Sequence, residues 1–364
     1  MLNSKRKYSK KEYNIIETNT NDPFLNDKLR IIESKSYRRL HGKAQVYCRD
    51  LNFINPNIRD RAIHTNEVIS IASKIAHQLG LNIHLTEAIA AGHDIGHVPF
   101  GHFGERIFSK YQKKEFRHNI FSVVVAQSIE RQGKGLNLTY ETLKGILNHS
   151  RGAKEIVADE NETPEATVVM YADKIAYTLA DINDSIRMGD IKKVPKEALM
   201  LGKNQREREF NIIKALVKES KKKKKISFSN SKEAKIFKNL RNYMYENLYL
   251  QQNRKREKDI LSNVIHFIKK TFPKINPLII VAMMTDYEVQ IINKELEKGR
   301  EESLKDKIKK QIIIERKRKQ GKIVSDPQTG IESKLSFCEA IPYIEKLKID
   351  INNPDLNEKD FKYK

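Results

Sequence analysis

Apolar residues recur at helical spacing along most of the chain. One run places an apolar residue at every third or fourth position and stops before Gly80; its members are Val68, Ile71, Ala72, Ile75, Ala76 and Leu79. This spacing predicts a helix that buries one face and ends at Gly80. Thr86 is predicted to cap the next helix, and Gly96, Pro99 and Gly101 are predicted to end it.

Further helical patterns continue towards the C-terminus. They predict helices at 118–131, 164–188, 205–219, 233–268, 277–298 and 301–320. Segment 322–340 contains Asp326-Pro327 and Thr329-Gly330, which predict turns and a short hairpin. The predicted fold class is therefore all-α.

A run of five lysines at 221–225 is the predicted boundary between two regions. We expect an N-terminal basic segment at 1–26, a helical core at 27–220 and a Lys-rich C-terminal helical region at 221–364. A chain of 364 residues is long enough to form one large domain or two.

The composition indicates a cytoplasmic protein with no membrane segment. The two cysteines, Cys48 and Cys338, form no CxxC pair, as is usual in a reducing compartment. The longest apolar run, 278–284, is far shorter than the ~20 residues that span a bilayer. The net charge of +22 indicates a polyanionic partner or a compositional bias towards Lys, Asn and Ile, and charge alone does not separate the two.

The pair His93-Asp94 is the strongest chemical signal in the sequence. It lies in AGHDIGHVPFGHFGE, which holds three of the ten histidines of the chain. Together with His64 and Asp173 the pair forms a set of four ligands for a divalent metal such as Mn, Mg or Fe. The alternative is a group of buried histidines that bond to backbone carbonyls. A bound metal beside further His and Glu side chains is typical of phosphate ester hydrolysis.

A second group of polar residues follows one predicted helix. Asp173, Tyr177 and Asp181 are spaced four apart and therefore share one helix face, with Lys174 beside them. The alternative is an amphipathic helix with solvated charges. Because the His-Asp pair indicates phosphate chemistry, we interpret this helix face as one side of a pocket that binds phosphate.

Several segments together resemble the HD-domain deoxynucleoside triphosphate triphosphohydrolases, the dGTPase-like family. The similarity covers about half of the chain. The segments that carry it are DKLRIIESKSYRRLHGKAQVY (27–47), RAIHTNEV (61–68), GHDIGHVPFGHFGE (92–105), FRHNIFS (116–122) and EATVVMYADKIAY (165–177).

This resemblance implies an HD-domain helical bundle with an additional C-terminal helical region. It also implies hydrolysis of a deoxynucleoside triphosphate at the α-phosphorus to deoxynucleoside and inorganic triphosphate. His64, His93, Asp94 and Asp173 match the metal ligands of the family. The residues that match its catalytic group are His102, Glu105 and His118.

The resemblance also implies contacts with the substrate. Gln45, Tyr177 and Asp181 match residues around the deoxyribose, with the Tyr177 ring against the 2′ carbon. The side chains that match phosphate ligands or line the pocket are Arg61, Lys174 and His97. Other expected partners are a second copy of the chain in a homo-oligomer, and a regulatory nucleotide or single-stranded DNA.

The sequence departs from the family pattern at several positions. Lys174 follows the metal aspartate, where the family often has Asp, and Thr167 stands where Gln is usual. His41-Gly42 replaces a usual Gln-Tyr, and VAMMTDYEVQ (281–290) lacks the Gly and Arg of a family motif. Two other functions therefore stay open: an HD phosphohydrolase for another nucleotide or phosphoester, and a non-catalytic nucleic-acid-binding protein.

Overall fold

A computed structural model describes residues 2–13, 20–48, 57–150, 162–250, 254–319 and 335–363. Within these ranges the secondary structure is helical, and β-pairing is limited to three isolated bridges: Arg6 with Thr139, Arg6 with Tyr363, and Ala44 with Asp60. The all-α prediction is confirmed. None of the described helices is both long enough and apolar enough to cross a membrane.

The first nine helices include those that the sequence assigns to the site. They are α1 (Lys10–Tyr13), α2 (Pro23–Ile32), α3 (Lys35–Arg39), α4 (Arg61–Leu79), α5 (Ile83–Gly92), α6 (Gly101–Gln112), α7 (His118–Val124), α8 (Tyr140–Asn148) and α9 (Pro164–Met188). A π-helical turn, Val125–Ile129, continues α7, and short 3-10 turns lie at Leu40–Gly42 and Arg131–Gly133.

The remaining helices form the C-terminal half. They are α10 (Lys196–Leu201), α11 (Gln205–Lys223), α12 (Lys232–Met244), α13 (Lys255–Thr271), α14 (Pro277–Ala282), α15 (Asp286–Glu297), α16 (Glu301–Lys319) and α17 (Ile341–Ile344). A π-helical turn at Tyr245–Tyr249 follows α12, and 3-10 turns lie at Ser336–Glu339 and Glu358–Asp360.

Local capping explains where the two helices before the His-Asp pair begin and end. The Asp60 side chain accepts from the backbone of α4, and Gly80 ends that helix in the left-handed conformation, as predicted. The predicted cap at Thr86 is wrong. Asn82 caps α5 through the backbone N–H of Leu85, and Thr86 lies inside the helix. Asn is at least as good a cap as Thr, and it comes first along the chain.

Two long predicted helices are each broken in the structure. The 233–268 prediction becomes α12, a π-helical turn and α13. The 277–298 prediction becomes α14 and α15, because Thr285 and Glu288 form a capping box that starts a new helix. The lysine run 221–225 begins inside α11 and occupies its last turn, where positive charge suits the helix dipole. Most of segment 322–340, where turns and a short hairpin are predicted, lies outside the described residues, which resume at 335.

Two hydrophobic clusters form the core. One packs α4, α5 and α9 against α11 and α12, through residues such as Val68, Tyr171 and Phe237. The other packs α6 and α7 against α13–α17, through residues such as Phe121 and Ile280. Both clusters contain residues from each side of the boundary predicted at 221. The three-region division stays a prediction.

Asp27 of α2 connects the N-terminal segment to α8. Its carboxylate is fully buried and accepts hydrogen bonds from the Arg6 guanidinium at 2.6 Å and from the Thr139 backbone N–H at 2.9 Å. The hydroxyls of Thr139 and Thr142 donate to the same carboxylate at 2.6 and 2.7 Å. A buried charge with this many donors is costly to alter, because each donor then loses its acceptor.

We expect Asp27→Asn to lower the free energy of unfolding by about 3 kcal/mol, because the buried Arg6 charge loses its partner. Urea denaturation measures the change. Asp355→Asn is the control: it also removes an aspartate that pairs with the N-terminal segment, at Lys7, but its side chain is 65% exposed. That variant should change stability by no more than about 0.5 kcal/mol. Equal losses in the two variants would contradict this account of Asp27.

Candidate active site

The segment after α5 is held against α7 by close backbone packing. A Cβ atom on Gly96 would lie 2.2 Å from the backbone nitrogen of Ser122, so only glycine fits. The Ser122 hydroxyl donates to the His93 carbonyl at 2.9 Å and accepts from the Gly96 N–H at 2.9 Å. The glycines of this motif therefore fix the position of the His93-Asp94 pair relative to α7.

The predicted metal ligands meet where α4, α5 and α9 come together. His64, His93 and Asp94 each offer a ligand atom, and these atoms lie within 4.8 Å of one another. Asp173 joins the group from α9, with its Oδ1 3.1 Å from Nε2 of His64. The structure brings together all four residues that the sequence nominated.

The chemistry of this group fits a divalent metal. His93 Nδ1 donates to the Ala90 carbonyl at 2.7 Å, which leaves the Nε2 lone pair directed elsewhere. His93 Nε2 and His64 Nδ1 are buried and have no hydrogen bond, a costly arrangement unless another group binds there. Two imidazoles and two carboxylates are a common ligand set for Mn, Fe, Zn or Mg.

Arg61 binds the metal-site carboxylate directly. Its Nη1 donates to Asp94 Oδ2 at 2.5 Å, and both side chains are about 3% exposed. Its Nε and Nη2 donate to the carbonyls of Ala44 and Gln45 at 3.3 and 3.4 Å. Burial alone would raise the pKa of Asp94, but His93 and Arg61 hold that pKa well below its usual range. Asp94 is therefore ionised and oriented.

Glu105 of α6 accepts contacts from three histidines at one oxygen. Its Oε1 lies 2.8 Å from His118 Nδ1, 3.2 Å from His97 Nε2 and 3.3 Å from His102 Nδ1. The His97 and His118 rings are stacked, with centroids 4.4 Å apart. The sequence pairs Glu105 with His102, yet the shortest contact is with His118. These four residues also form a group that could hold an ion.

The pKa values of His97 and His102 are shifted in opposite directions. Burial, together with Arg61 and His118, lowers the pKa of His97 well below its usual value, so that ring is neutral. Desolvation by neighbouring groups disfavours the charged form of His102, but the Glu105 carboxylate outweighs this effect and raises the pKa of His102. The His102 side chain is 70% exposed, whereas His97 is fully buried. His102 is the member of the group that can meet a ligand and exchange a proton with it.

His149, which is not among the predicted site residues, also lies at the site. Its ring lies 5.1 Å from the His93 ring, and its Nε2 is 3.3 Å from His118 Nε2. Its Nδ1 donates to the Ile146 carbonyl at 2.7 Å, and burial beside His93 and His118 lowers its pKa to about 3. The sequence contains a signal for this position, because His149 lies three residues after Ile146 and so continues the buried face of α8.

Tyr177 and Asp181, two of the residues predicted to lie around the sugar, are on α9. They contact two residues that the sequence analysis did not nominate. Tyr249 donates to Asp181 Oδ2 at 2.6 Å, and Arg241 donates to the Tyr177 hydroxyl at 3.3 Å. Burial and nearby Asp184 raise the pKa of Asp181 to about 8, although the Tyr249 hydrogen bond opposes the shift. No local pattern links α12 and the π-helical turn after it to α9, so the contacts of Arg241 and Tyr249 with α9 become visible only in the structure.

Gln45 and Lys174 complete the predicted set. Gln45 is half-buried, and its Oε1 is a buried acceptor with no hydrogen bond. Lys174 is buried on α9, one residue after Asp173. Its backbone carbonyl accepts from Arg61, so the unsatisfied side-chain oxygen is the atom that fits a donor from a ligand.

The chain matches known families over the segment that builds this site. A family described as HD domain matches residues 61–178. A protein from Clostridium tetani named "Deoxyguanosinetriphosphate triphosphohydrolase-like protein" is 40% identical over 274 residues, which are 71% of this chain and 78% of that protein. The chain belongs to the deoxyguanosinetriphosphate triphosphohydrolase-like family. Relatives with this printed name from Caldanaerobacter subterraneus and Clostridium perfringens are 41% and 42% identical over 248 and 255 residues, or 69% and 73% of their lengths.

Membership of this triphosphohydrolase-like family supports a phosphohydrolase. His64, His93 and Asp94 form a group that could hold a divalent metal ion. The resemblance stated from the motifs is confirmed. The roles of the individual site residues stay predictions. The metal content and activity of single variants would test these roles.

We expect Asp94→Ala to weaken binding of Mn²⁺ by at least about 100-fold, since it removes a ligand and the partner of Arg61. Metal content after dialysis, measured by mass spectrometry of the purified protein, gives the result. His102→Ala is the control, because His102 belongs to the Glu105 group and should leave metal content unchanged. If Asp94→Ala retains the ion, or His102→Ala loses it, the metal lies elsewhere in the site.

Proposed function

We propose that this protein hydrolyses a deoxynucleoside triphosphate at the α-phosphorus and releases deoxynucleoside and inorganic triphosphate. The observation that carries the proposal is the pairing of two adjacent groups. One is the His64, His93 and Asp94 group with Asp173, and the other is the set of histidines around Glu105. Family membership supports a triphosphohydrolase, since the relatives bear that name.

His102 is the proposed proton donor. Its Nδ1 faces Glu105, so Nε2 is the nitrogen that can reach a substrate. A bond forms between a water oxygen and the α-phosphorus, the bond from phosphorus to the 5′ oxygen breaks, and His102 protonates that oxygen. The proton that the attacking water loses passes to solvent, and His102 regains a proton from solvent. Glu105 orients the ring and favours its charged form. A divalent ion bound at the four ligands would supply electrostatic stabilisation of the phosphate oxygens.

The proposed substrate contacts explain a preference for deoxyribose. The Tyr177 ring lies against the 2′ carbon and leaves no room for a 2′ hydroxyl, and Asp181 and Gln45 bind the sugar. Lys174 and Arg61 neutralise phosphate charge, with Arg61 doing so beside Asp94. His97 and His118 line the pocket, with His118 sharing Glu105 with His102.

Two alternatives remain distinguishable by experiment. An HD phosphohydrolase for another nucleotide or phosphoester uses the same metal group, and it would release monophosphate or pyrophosphate. A non-catalytic nucleic-acid-binding protein would use the basic surface, and its binding would weaken strongly with salt. The homo-oligomer, the cytoplasmic location, and the regulatory nucleotide or single-stranded DNA stay predictions.

The deciding assay incubates the protein with each dNTP, and each matching ribonucleotide, in Mn²⁺ or Mg²⁺ and identifies the products. We expect triphosphate from dNTPs and little from ribonucleotides. His102→Ala should lower kcat by roughly 10²–10⁴-fold, the usual contribution of a general acid. His77→Ala, which alters an exposed histidine of α4, is the control and should retain full activity. Near-normal turnover by His102→Ala would remove His102 from the proton-transfer role.

Glu105→Gln should shift the pH profile of kcat. The Glu105 carboxylate raises the pKa of His102, and a group that acts as an acid is active only below its pKa. Removing this charge lowers that pKa, so the decline of kcat with rising pH should begin at a lower pH in the variant. Profiles of kcat between pH 5 and pH 9 measure the shift. A shift to higher pH, or none, would mean that Glu105 does not act through the charge of His102.

A further inference from the structure

The segment 281–290, which the proposed function leaves without a role, lies against the active site. It forms the junction between α14 and α15. A Cβ atom on Gly42 would lie 2.5 Å from the Thr285 side chain, so the chain before Gln45 passes directly over this junction. This close approach also explains why glycine is present at position 42.

Asp286, the first residue of α15, binds two separate segments of the active site. Its Oδ2 accepts from the backbone N–H of Ala44 at 2.9 Å, and its Oδ1 accepts from the backbone N–H of Phe100 at 2.9 Å. The side chain is buried. Ala44 adjoins Gln45, and Phe100 lies two residues before His102. One carboxylate therefore joins the predicted sugar-binding segment to the loop that starts α6.

The backbone at Phe100 needs such an anchor. Phe100 has a φ of 62°, in the left-handed region that a bulky side chain rarely adopts. Such a conformation persists only where surrounding contacts over-determine it. The hydrogen bond from its N–H to Asp286 is one of those contacts, and it holds the turn from which His102 projects.

Lys43 ties together the same three segments. Its ammonium donates to the His97 carbonyl and, at 2.8 Å, to the carbonyl of Ala282 at the end of α14. Burial, with Arg39 and Arg61 nearby, lowers the pKa of Lys43 to about 7, and Asp286 opposes that shift. Two buried polar side chains thus bind the 43–45 segment, the 97–100 loop and the α14–α15 junction to one another.

We propose that Asp286 is a positioning residue that sets the distance between the Gln45 segment and the His102 loop. The expected effect on catalysis rests on the proposed function, whereas the contacts that Asp286 makes do not depend on it. Asparagine has one acceptor oxygen in place of two carboxylate oxygens. It therefore releases one of the two segments and presents an NH₂ group to the other N–H.

The test compares Asp286→Asn with two controls in the full-length protein. Glu288→Gln makes the same chemical change in the first turn of α15, where Glu288 serves the capping box. Asp27→Asn removes a buried carboxylate at the α2–α8 contact and serves as a control for lost stability. The three variants are compared by amide hydrogen exchange, metal content and steady-state kinetics.

In Asp286→Asn we expect amide exchange to rise about tenfold or more in peptides that contain Ala44 or Phe100, as expected when a hydrogen bond is lost. We expect kcat to fall roughly 100-fold, because a small displacement of the reacting groups is costly. KM should rise as Gln45 moves, and metal content should stay unchanged. Glu288→Gln should change neither exchange at these two positions nor KM. Asp27→Asn should raise exchange across the protein without a selective rise at these two positions, and it should leave KM unchanged.

Exchange at Ala44 and Phe100 that is unchanged, or that rises equally in the controls, overturns the proposal. The proposal is also overturned if Asp286→Asn loses no more activity than Asp27→Asn and has the KM of the unaltered protein. If the unaltered protein hydrolyses no dNTP, the proposed function fails separately. The exchange comparison then decides alone whether Asp286 positions the two segments.

Discussion

The buried ion pair between Arg61 and Asp94 is the interaction on which the active site depends. A buried carboxylate is costly unless it is paired and hydrogen-bonded, and Arg61 supplies both. The same guanidinium donates to the carbonyls of Ala44 and Gln45. This one side chain therefore holds the start of α4, the metal-site carboxylate and the predicted sugar-binding segment together. Asp286 also anchors that segment, by accepting from the backbone N–H of Ala44.

The active site divides its histidines according to their environment. His93 and His149 each donate Nδ1 to a carbonyl three residues earlier, so the other nitrogen of each ring points inward. His102 differs, because it is exposed and paired with Glu105. A buried ring with its second nitrogen free suits metal binding or packing, whereas an exposed ring paired with a carboxylate suits proton transfer. Burial thus assigns different chemistry to identical side chains.

The sequence predicts the parts of this protein that depend on local order. Residues 164–188 are predicted as a helix with the bounds that α9 has, and the four nominated metal ligands do lie together. Local patterns do not predict contacts between distant segments. Tertiary packing brings three histidines around Glu105, places Arg241 and Tyr249 against α9, and gives Asp286 its two contacts. The break at Thr285 was locally encoded, but its capping box lies within a continuous apolar pattern.

The hydrogen bonds of Asp286 join residues that are 186 and 242 positions apart in sequence. Contacts of such separation form late in folding, because long loops must close first. While the chain is being synthesised, the HD segment leaves the ribosome well before α15 does. A nascent chain can therefore fold α4 and α5 while the loop before His102 still lacks its anchor. The site that Asp286 helps to form is therefore complete only after the C-terminal half has been synthesised.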